Sequence, residues 1–502
     1  MVGRRNEAAL VQSAAIELDA LSAAVRPVRT ANPAPVEITD LAYDTRAVRP
    51  GTLFVCVPGL KADGHDFASE ALARGAVALV VERPLDLPVP QLVVVDARTA
   101  MALAADAFFG QPTRELQVAG VTGTNGKTTT AFLLYSILAA AGRRPGLLGT
   151  IESRTGGERR AVVRTTPEAI DLQRTFREML DAGDRSCAME ASSHGSELKR
   201  LTGVRFAALV FTNLTQDHLD LHGTLESYFD AKRRLFVDPD PEGGRPRAAV
   251  NVGDPYGRRL VEELREIGER PLTFGFADEA DVAPKELEVS AAGARFVADG
   301  IPVETRLRGR FNVENVLGAV AAARQLGIED DAIATGVAHV AGVPGRFETV
   351  DEGQPFTVLV DYAHTADALE NVLREARSLA AKRLVCVFGC GGDRDREKRP
   401  LMGATATRLA DRVIVTSDNP RSEDPLAVIG EILAGIGEDA EVEPDRALAI
   451  ARAIGQADEG DVVVIAGKGH EQGQEFSDRT VPFDDREVAR ETLRRLAAGA
   501  AA

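Results

Sequence analysis

Cysteine is scarce in this chain of 502 residues, which contains only Cys56, Cys187, Cys386 and Cys390. Four widely spaced cysteines are too few to form a disulfide framework in a chain of this length. Cys386 and Cys390 have neither a second cysteine pair nor a nearby histidine that would complete a zinc site. We therefore expect reduced, mostly buried thiols, which are typical of a cytoplasmic protein.

Long apolar runs and an excess of positive charge are also absent. No segment reaches the roughly 18 consecutive apolar residues that predict a membrane-spanning helix, and the N-terminal residues are not followed by the apolar core of a signal peptide. Acidic residues outnumber basic ones by 76 to 59, giving a net charge of −17, which argues against a general nucleic-acid-binding protein. We expect small-molecule substrates, no nucleic-acid partner, no membrane span and a monomer.

The overall composition is that of a globular protein, with 44% hydrophobic and 27% charged residues. At roughly 100–200 residues per domain, the length predicts three domains. We place these domains at 1–112, 113–340 and 341–502.

Apolar segments alternate with helix-like segments along most of the chain. A strand is predicted at 116–121 and a helix at 128–141, where apolar side chains recur at helical spacing. Further strands are predicted at 52–57, 77–81, 187–189, 206–211, 357–360, 384–388, 412–416 and 462–465. This alternation predicts an α/β fold with largely parallel sheets. We expect a small N-terminal α/β domain, a central P-loop ATPase-like domain and a C-terminal Rossmann-like domain.

A glycine-rich turn between the strand at 116–121 and the following helix is the strongest local signal. Glycines allow backbone amides to point at phosphate oxygens, and the helix N-terminus adds positive potential. Lys127 would reach the terminal phosphates of a nucleotide, and the Thr128 hydroxyl would bind Mg²⁺. The alternative is a plain glycine-rich turn. The candidate nucleotide-binding residues are Gly123, Thr124, Asn125, Gly126, Lys127, Thr128 and Thr129.

Polar side chains follow two further predicted strands. Glu190 begins the Glu-Ala-Ser-Ser-His segment at 190–194, and His218 lies in the polar run at 213–222. The carboxyl ends of parallel strands form the edge at which such sheets bind ligands. Mg²⁺ prefers oxygen ligands, so Glu190 fits a magnesium site well and His218 is less typical.

Six motifs in order resemble those of the Mur ligase family over essentially the whole chain. They are Gly-Thr-Asn-Gly-Lys-Thr at 123–128, Glu-x-Ser-Ser-His at 190–194, Asp-His-x-Asp at 217–220, Phe-Asn-x-x-Asn at 311–315, Gly-Arg-Phe-Glu at 345–348 and Asp-Tyr-Ala-His-Thr at 361–365. Within the family, Asp-Asn-Pro-Arg at 418–421 is similar to the signature of members that add meso-diaminopimelate.

The resemblance implies an ATP-dependent ligase of peptidoglycan synthesis. Such an enzyme phosphorylates the D-glutamyl side-chain carboxylate of UDP-N-acetylmuramoyl-L-Ala-D-Glu, and an amine of diaminopimelate then attacks the acyl phosphate. Phosphorylation supplies a leaving group that a carboxylate lacks, and the approach of two anions requires positive charge at the site. The catalytic residues implied by the resemblance are Lys127, Glu190, His218, Lys232, Asn315, Arg346 and Asp361.

The resemblance also implies the metal ligands. Thr128 and Glu190 would hold one Mg²⁺, and His218 and a carbamylated Lys232 would hold a second. A CO₂-derived carbamate converts the lysine ammonium into an oxygen donor that suits a hard cation. Without the resemblance, Lys232 would be interpreted as a surface lysine paired with Asp230 or Glu226.

Family positions near the substrates carry over in the same way. Those near uridine correspond to Thr45, Leu60, Lys61 and Ala62, and those near the muramoyl-peptide correspond to Thr165, Thr166, Ser192 and Arg200. Those near diaminopimelate correspond to Arg394, Asp418, Asn419, Pro420, Arg421, Gly467 and Glu471. Arg421 would grip the distal carboxylate, the group that distinguishes diaminopimelate from lysine.

Three alternatives remain open. The chain could be another ligase of the family, such as a lysine-adding enzyme or a folylpolyglutamate synthetase, against which Arg394 and Arg421 argue. It could be a non-catalytic nucleotide-binding regulatory paralogue, although Lys127, Glu190 and His218 are all present. It could also be a simple P-loop ATPase or kinase, against which the 418–421 segment argues.

Overall fold

The structure is a computed structural model that describes residues 15–59, 62–290, 292–437 and 440–500. Leu60 and Lys61, two of the residues expected near uridine, lie outside the described residues. All four cysteines are free and buried, as the sequence predicts.

The N-terminal half alternates short strands and helices. Its strands are β1 (Ile16–Glu17), β2 (Arg29–Ala31), β3 (Glu37–Ile38), β4 (Asp40–Ala42), β5 (Thr52–Val55), β6 (Ala76–Val81), β7 (Gln91–Val93), β8 (Gln117–Thr122), β9 (Pro145–Leu148), β10 (Ser153–Thr155), β11 (Glu158–Arg160), β12 (Ser186–Glu190), β13 (Phe206–Phe211) and β14 (Arg247–Asn251). Its helices are α1 (Leu18–Val25), α2 (Ala68–Ala73), α3 (Ala97–Phe108), α4 (Lys127–Ala140), α5 (Ala169–Asp181), α6 (Ser193–Glu197), α7 (Leu219–His222) and α8 (Leu225–Val237).

The C-terminal half continues the alternation. Its strands are β15 (Leu272–Phe274), β16 (Pro284–Ser290), β17 (Gly293–Ala298), β18 (Ile301–Thr305), β19 (Glu348–Val350), β20 (Thr357–Asp361), β21 (Leu384–Phe388), β22 (Arg412–Val415), β23 (Ala440–Val442), β24 (Val462–Ala466), β25 (Gly473–Glu475) and β26 (Thr480–Pro482). Its helices are α9 (Pro255–Glu266), α10 (Arg310–Gln325), α11 (Asp330–Ala338), α12 (Ala366–Leu379), α13 (Lys398–Leu409), α14 (Pro425–Leu433), α15 (Arg446–Gly455) and α16 (Asp485–Ala500).

The chain divides into two compact units. The first takes residues up to 122, 142–209 and 231–248, and the second takes 123–141, 210–230 and 249 onward. In the first unit, β4, β5, β6 and β7 pair in parallel in that order, and β2 lies antiparallel beside β7. Thr45 follows the carboxyl end of β4, and Ala62 follows that of β5.

A second sheet of the first unit is built around β12, which pairs in parallel with both β8 and β9. Strands β10 and β11 extend it in antiparallel fashion beyond β9. Glu190 is the last residue of β12, so its carboxylate lies at the carboxyl end of the strand, the usual ligand-binding edge of a parallel sheet.

The largest sheet of the second unit has the order β19–β20–β24–β21–β22–β23. All five strands from β20 to β24 run parallel, and β19 is antiparallel to β20. Parallel strands covered on both faces are apolar throughout, and all five residues of β21 and of β24 are buried. The predicted α/β class with parallel sheets is therefore confirmed.

Helix α12 shows why a helix forms where it does. The Thr365 hydroxyl accepts a hydrogen bond from the Ala368 amide and so caps the N-terminus. Leu369, Val372, Leu373 and Ala376 recur at helical spacing and are buried against the sheet.

Several antiparallel strands were not predicted. Strands β16, β17 and β18 form an antiparallel sheet, and β25 and β26 form a hairpin. Strands β16 and β26 expose much of their surface and are polar at many positions. In β17 and β18, exposed residues interrupt the buried ones, so neither has the continuous apolar run by which the buried strands were recognised.

The described helices all fall short of the length and apolarity that a membrane crossing requires.

A buried ion pair supports the carboxyl ends of two strands in the largest sheet of the second unit. Arg446 and Asp485 are both fully buried, and Arg446 Nε and Nη2 each donate to an Asp485 carboxylate oxygen at 2.7 Å. Nη2 also donates to the carbonyl of Ala466 at 3.0 Å, and Nη1 donates to that of Ser417 at 3.4 Å. The guanidinium therefore binds the residues that immediately precede Asp418 and Gly467.

Asp485→Asn should lower the free energy of unfolding by about 3–5 kcal/mol, because it leaves the buried Arg446 without its counter-charge. Urea unfolding followed by circular dichroism measures this change. Asp478→Asn is the matched control, because Asp478 forms only an exposed pair with Arg479 and its loss should cost less than about 1 kcal/mol. Equal effects of the two substitutions would contradict the assigned role of the buried pair.

Candidate functional site

The glycine-rich turn predicted to bind phosphate has glycine where no other residue fits. Gly123 has φ +148°, and a Cβ there would lie 1.9 Å from Thr212 Oγ1. Gly126 has φ +86°, and a Cβ there would lie 2.2 Å from Asn315 Oδ1. The turn therefore places its backbone directly against Asn315, a residue predicted to position the nucleotide.

Hydrogen bonds hold the turn at the start of α4. The amides of Thr124 and Asn125 donate to the backbone and side-chain oxygens of Asn213, at 2.9 and 2.8 Å. Lys127 Nζ donates to the carbonyls of Gly123 and Thr124 at 2.9 and 2.7 Å. The helix N-terminus and the Lys127 ammonium thus supply positive potential at the same place, as phosphate binding requires.

Arg346 and Asp361 lie in the same unit as this turn. Arg346 Nη2 donates to Thr128 Oγ1 at 3.2 Å, and its guanidinium lies over the Tyr362 ring, 4.4 Å from the centroid. Asp361 accepts hydrogen bonds from the amides of Phe347 and Ala363 at 2.6 and 2.7 Å. Burial raises the pKa of Asp361, although Arg346 opposes this effect.

Positive groups surround Asp217 in the Asp-His-x-Asp motif. His218 Nε2 lies 3.4 Å from an Asp217 carboxylate oxygen. Burial raises the pKa of Asp217, but the charges of His218, His364, Lys398 and Lys127 outweigh it and lower the pKa to about 2. His364 and Lys398 were not among the predicted site residues, although His364 lies within the Asp-Tyr-Ala-His-Thr motif at 361–365.

In the first unit, Thr150 holds the carboxylate of Glu190. The Thr150 amide donates to Glu190 Oε1 at 2.7 Å, and its hydroxyl donates to Oε2 at 3.1 Å. The same hydroxyl is 3.0 Å from Thr165 Oγ1, so Thr165 lies beside Glu190. Thr150 was not predicted, and its position shortly after β9, a neighbour of β12, was the signal that could have identified it.

The other residues predicted near the muramoyl-peptide also lie together. Thr166 Oγ1 donates to the Glu190 carbonyl at 3.0 Å and accepts a hydrogen bond from the Ser192 hydroxyl at 2.9 Å. Arg200 Nη1 donates to the Thr166 carbonyl at 3.1 Å, and Nη2 pairs with Glu168 at 2.8 Å. The structure thus places Thr165, Thr166, Ser192 and Arg200 around the end of β12.

Lys232 is only 1% exposed. Lysine is almost never fully buried unless its charge is balanced. The interpretation of Lys232 as a surface lysine is therefore wrong.

The residues predicted near diaminopimelate follow β21, β22 and β24, which are neighbours in the sheet. Asn419 Nδ2 donates to Glu471 Oε2 at 2.7 Å. A Cβ at Gly467 would lie 2.6 Å from Asp418 Oδ2. A Cβ at Gly391 would lie 3.0 Å from Arg421 Nη1 and 3.8 Å from Arg394 Cγ, so both arginines approach the same glycine.

Lys468 is a residue of this cluster that was not predicted. Its side chain is fully buried, and Nζ donates to Asn419 Oδ1 at 2.7 Å and to Glu471 Oε2 at 3.0 Å. Lys468 therefore fixes the relative position of two predicted site residues. It lies within the Gly-Lys-Gly-His-Glu segment at 467–471, next to residues that were predicted.

A buried arginine joins the two loops that carry Arg394 and Arg421. Arg399 is fully buried and donates to both carboxylate oxygens of Glu423, at 2.9 and 2.8 Å. It also donates to the Gly391 carbonyl at 3.1 Å. The loop after β21 is thereby connected to the loop after β22.

Within the described residues, no three histidine, cysteine or acidic side chains lie close enough together to hold a metal ion. The predicted magnesium ligands Thr128 and His218 belong to the second unit, and Glu190 and Lys232 belong to the first.

Gly126→Ala should raise the dissociation constant for ADP at least about tenfold. The left-handed backbone costs roughly 1–2 kcal/mol with a Cβ present, and the new Cβ collides with Asn315. Calorimetric titration with ADP measures the effect.

Gly142→Ala is the matched control at the other end of α4. Gly142 has φ +70° and nothing within 4 Å of an added Cβ, so it carries the same backbone cost without the collision. An unchanged ADP affinity in Gly126→Ala would show that this turn does not bind the nucleotide.

Known proteins resemble most of the chain. Three sequence families match it in order: the Mur ligase family catalytic domain at 37–120, the Mur ligase middle domain at 121–323 and the Mur ligase glutamate ligase domain at 345–469. UDP-N-acetylmuramoyl-L-alanyl-D-glutamate--2,6-diaminopimelate ligase of Solibacter usitatus is 50% identical over 472 residues, which cover 92% of this chain and 94% of the relative.

Solved structures show the same similarity. A structure of a UDP-N-acetylmuramoyl-L-alanyl-D-glutamate--2,6-diaminopimelate ligase has 35% sequence identity and a TM-score of 0.66, over 92% of this chain and 96% of the other. The MurF ligase of Thermotoga maritima in complex with ADP has a TM-score of 0.59 at 20% identity, over 91% of this chain and 96% of the other, which shows a shared fold. Since the identity to the Solibacter ligase extends over nearly the whole sequence, the chain belongs to the Mur ligase family.

Proposed function

We propose that this ligase adds meso-diaminopimelate to the D-glutamyl side-chain carboxylate of UDP-N-acetylmuramoyl-L-Ala-D-Glu, with conversion of ATP to ADP and phosphate. The observation that carries this proposal is the cluster of Arg394, Asn419, Arg421 and Glu471 at the carboxyl ends of neighbouring strands. The two guanidinium groups there match the distal carboxylate that diaminopimelate has and lysine lacks, and Glu471 matches the distal amine. The names of the relatives point to the same reaction.

The chemistry requires that ATP and a substrate carboxylate, both anionic, approach each other. Lys127 and the N-terminus of α4 supply positive charge for the phosphates. The contact of Arg346 with Thr128 supports a role for Arg346 beside the nucleotide. The contact of Asn315 with Gly126 supports a positioning role for that amide, and Asp361 would orient the segment that carries Arg346.

Mg²⁺ would neutralise charge on the phosphates and the acyl phosphate. We propose that Thr128 and Glu190 hold one ion and that His218 and a carbamylated Lys232 hold another. The hydroxyl and carboxylate oxygens of this set suit Mg²⁺. The burial of Lys232 supports a chemical role for its side chain.

The muramoyl-dipeptide would bind beside Glu190, where Thr165, Thr166, Ser192 and Arg200 lie together. Hydroxyl donors and a guanidinium suit the carboxylates and amides of this substrate. Uridine would bind near Thr45 and Ala62, which follow the carboxyl ends of β4 and β5.

Diaminopimelate would bind in the cluster at the ends of β21, β22 and β24. Arg421 and Arg394 would hold its distal carboxylate, and Glu471, Gly467 and Asp418 would face its distal amine and carboxylate. A site built for a charged group rejects an analogue that lacks the group, because the hydrogen bonds to that group are then not made. We therefore infer a preference for diaminopimelate over lysine.

We also propose a cytoplasmic monomer with domains at 1–112, 113–340 and 341–502. Three sequence families match the chain in order, at 37–120, 121–323 and 345–469, and these matches support three domains.

The test of the reaction is phosphate release with UDP-N-acetylmuramoyl-L-Ala-D-Glu, ATP and Mg²⁺. We expect release and a new tripeptide product with meso-diaminopimelate, and neither with L-lysine nor without an amino acid. Product with lysine alone would support the proposed ligase reaction but contradict the proposed preference for diaminopimelate. Absence of product with either amino acid would favour a regulatory protein.

Arg421→Ala should raise the KM for diaminopimelate about 10- to 100-fold, because it removes charge-assisted hydrogen bonds to the distal carboxylate. The KM for ATP should stay unchanged in steady-state kinetics. Arg495→Ala, which removes an exposed arginine paired with Glu491 on α16, should leave both values unchanged. Equal loss of diaminopimelate use and ATP binding in Arg421→Ala would contradict the proposed role.

A further inference from the structure

Arg421 already contacts a carboxylate of its own chain. Its Nε donates to Glu475 Oε2 at 2.9 Å, and its Nη1 donates to the Gly392 carbonyl at 2.7 Å. The side chains of Arg421 and Glu475 are 23% and 51% exposed, so solvent and a substrate can reach the pair.

The backbone also fixes Glu475 beside Arg421. Glu475 is the last residue of β25, and its amide donates to Asn419 Oδ1 at 3.0 Å. Its carbonyl accepts a hydrogen bond from the Arg421 amide at 3.0 Å. Three hydrogen bonds through three different atoms of Glu475 therefore hold it against the 419–421 segment. Its carboxylate is thus kept beside the Arg421 guanidinium before any substrate binds.

The guanidinium retains capacity for a second carboxylate. Glu475 takes Nε and the Gly392 carbonyl takes one hydrogen of Nη1. A carboxylate binds the end of a guanidinium through Nη1 and Nη2. A substrate carboxylate bound there would share one positive charge with Glu475, and the two anions would repel each other.

We propose that Glu475 is a specificity-determining residue that weakens the binding of diaminopimelate and so reduces the preference for diaminopimelate over lysine. Its negative charge opposes the distal carboxylate of diaminopimelate at Arg421. When lysine is bound, Glu475 still balances the charge of Arg421, so the missing distal carboxylate does not leave the guanidinium unpaired. This inference rests on the proposed function, because it concerns the same amino-acid site.

Glu475→Gln tests the inference with little disturbance, because the amide oxygen can still accept the hydrogen bond from Nε. The KM for diaminopimelate should fall about fivefold, the size expected for removal of one nearby like charge in a partly exposed site. Lysine should still give no product, so the gain should be confined to diaminopimelate. The KM for ATP should not change.

Asp478→Asn is the matched control within the same hairpin. Asp478 pairs with Arg479 and carries the same charge as Glu475, so its loss tests whether any negative charge in the hairpin has the effect. The KM for diaminopimelate should stay unchanged in this variant. A second control combines the changes: in an Arg421→Ala background, where the distal carboxylate is no longer held beside Glu475, Glu475→Gln should lower the KM for diaminopimelate less than it does in the wild-type enzyme.

An unchanged or increased KM for diaminopimelate in Glu475→Gln would overturn the inference while leaving the proposed function intact, since the wild-type enzyme would still form the tripeptide. A fall in KM that is equally large in the Arg421→Ala background would also overturn it, because Glu475 would then act independently of Arg421. Failure of the wild-type enzyme to use diaminopimelate would overturn both the inference and the proposed function.

Discussion

The candidate amino-acid site depends on the parallel pairing of β24 with both β20 and β21. Parallel neighbours end at the same edge of a sheet, so the loops that follow these strands must meet there. Strand β22 adds a further loop at the same edge through its pairing with β21. The sheet order therefore brings together residues from distant parts of the sequence, and the contact of Asn419 with Glu471 is one result.

Polar loops at such an edge need internal support, and buried cations supply it here. Arg446 is balanced by Asp485 and binds the carbonyls of Ser417 and Ala466. Lys468 is balanced by Glu471 and binds Asn419. A buried cation is tolerated only when it is paired and hydrogen-bonded. The groups that make these cations tolerable also fix the loops, so stability and the geometry of the site are coupled at this edge.

The sequence predicts those parts of the site that depend on local pattern. The turn at 123–128 is recognisable because glycine, lysine and threonine must follow a strand in fixed order, and Glu190 is recognisable as a carboxylate at a strand end. The contact between Gly126 and Asn315 is not predictable in this way, because it joins residues far apart in sequence. The burial of Lys232 likewise follows from packing of the whole unit, and local pattern alone favoured the surface. The polar hairpin that carries Glu475 has no apolar run, so neither its strands nor its contact with Arg421 could be predicted.

Selectivity at this site is a difference between two binding free energies, and the charge around Arg421 enters both. An unpaired guanidinium would strongly favour an amino acid with a distal carboxylate and would strongly disfavour one without it. A guanidinium that already contacts Glu475 gains less from the substrate carboxylate and loses less in its absence. The Cγ of Arg394 lies near the same glycine, and its guanidinium donates to the Asp393 carbonyl in the loop after β21. On this proposal, the charges around Arg421, including those of Glu475 and the nearby Asp393, decide together with Arg421 how strictly the amino acid is chosen.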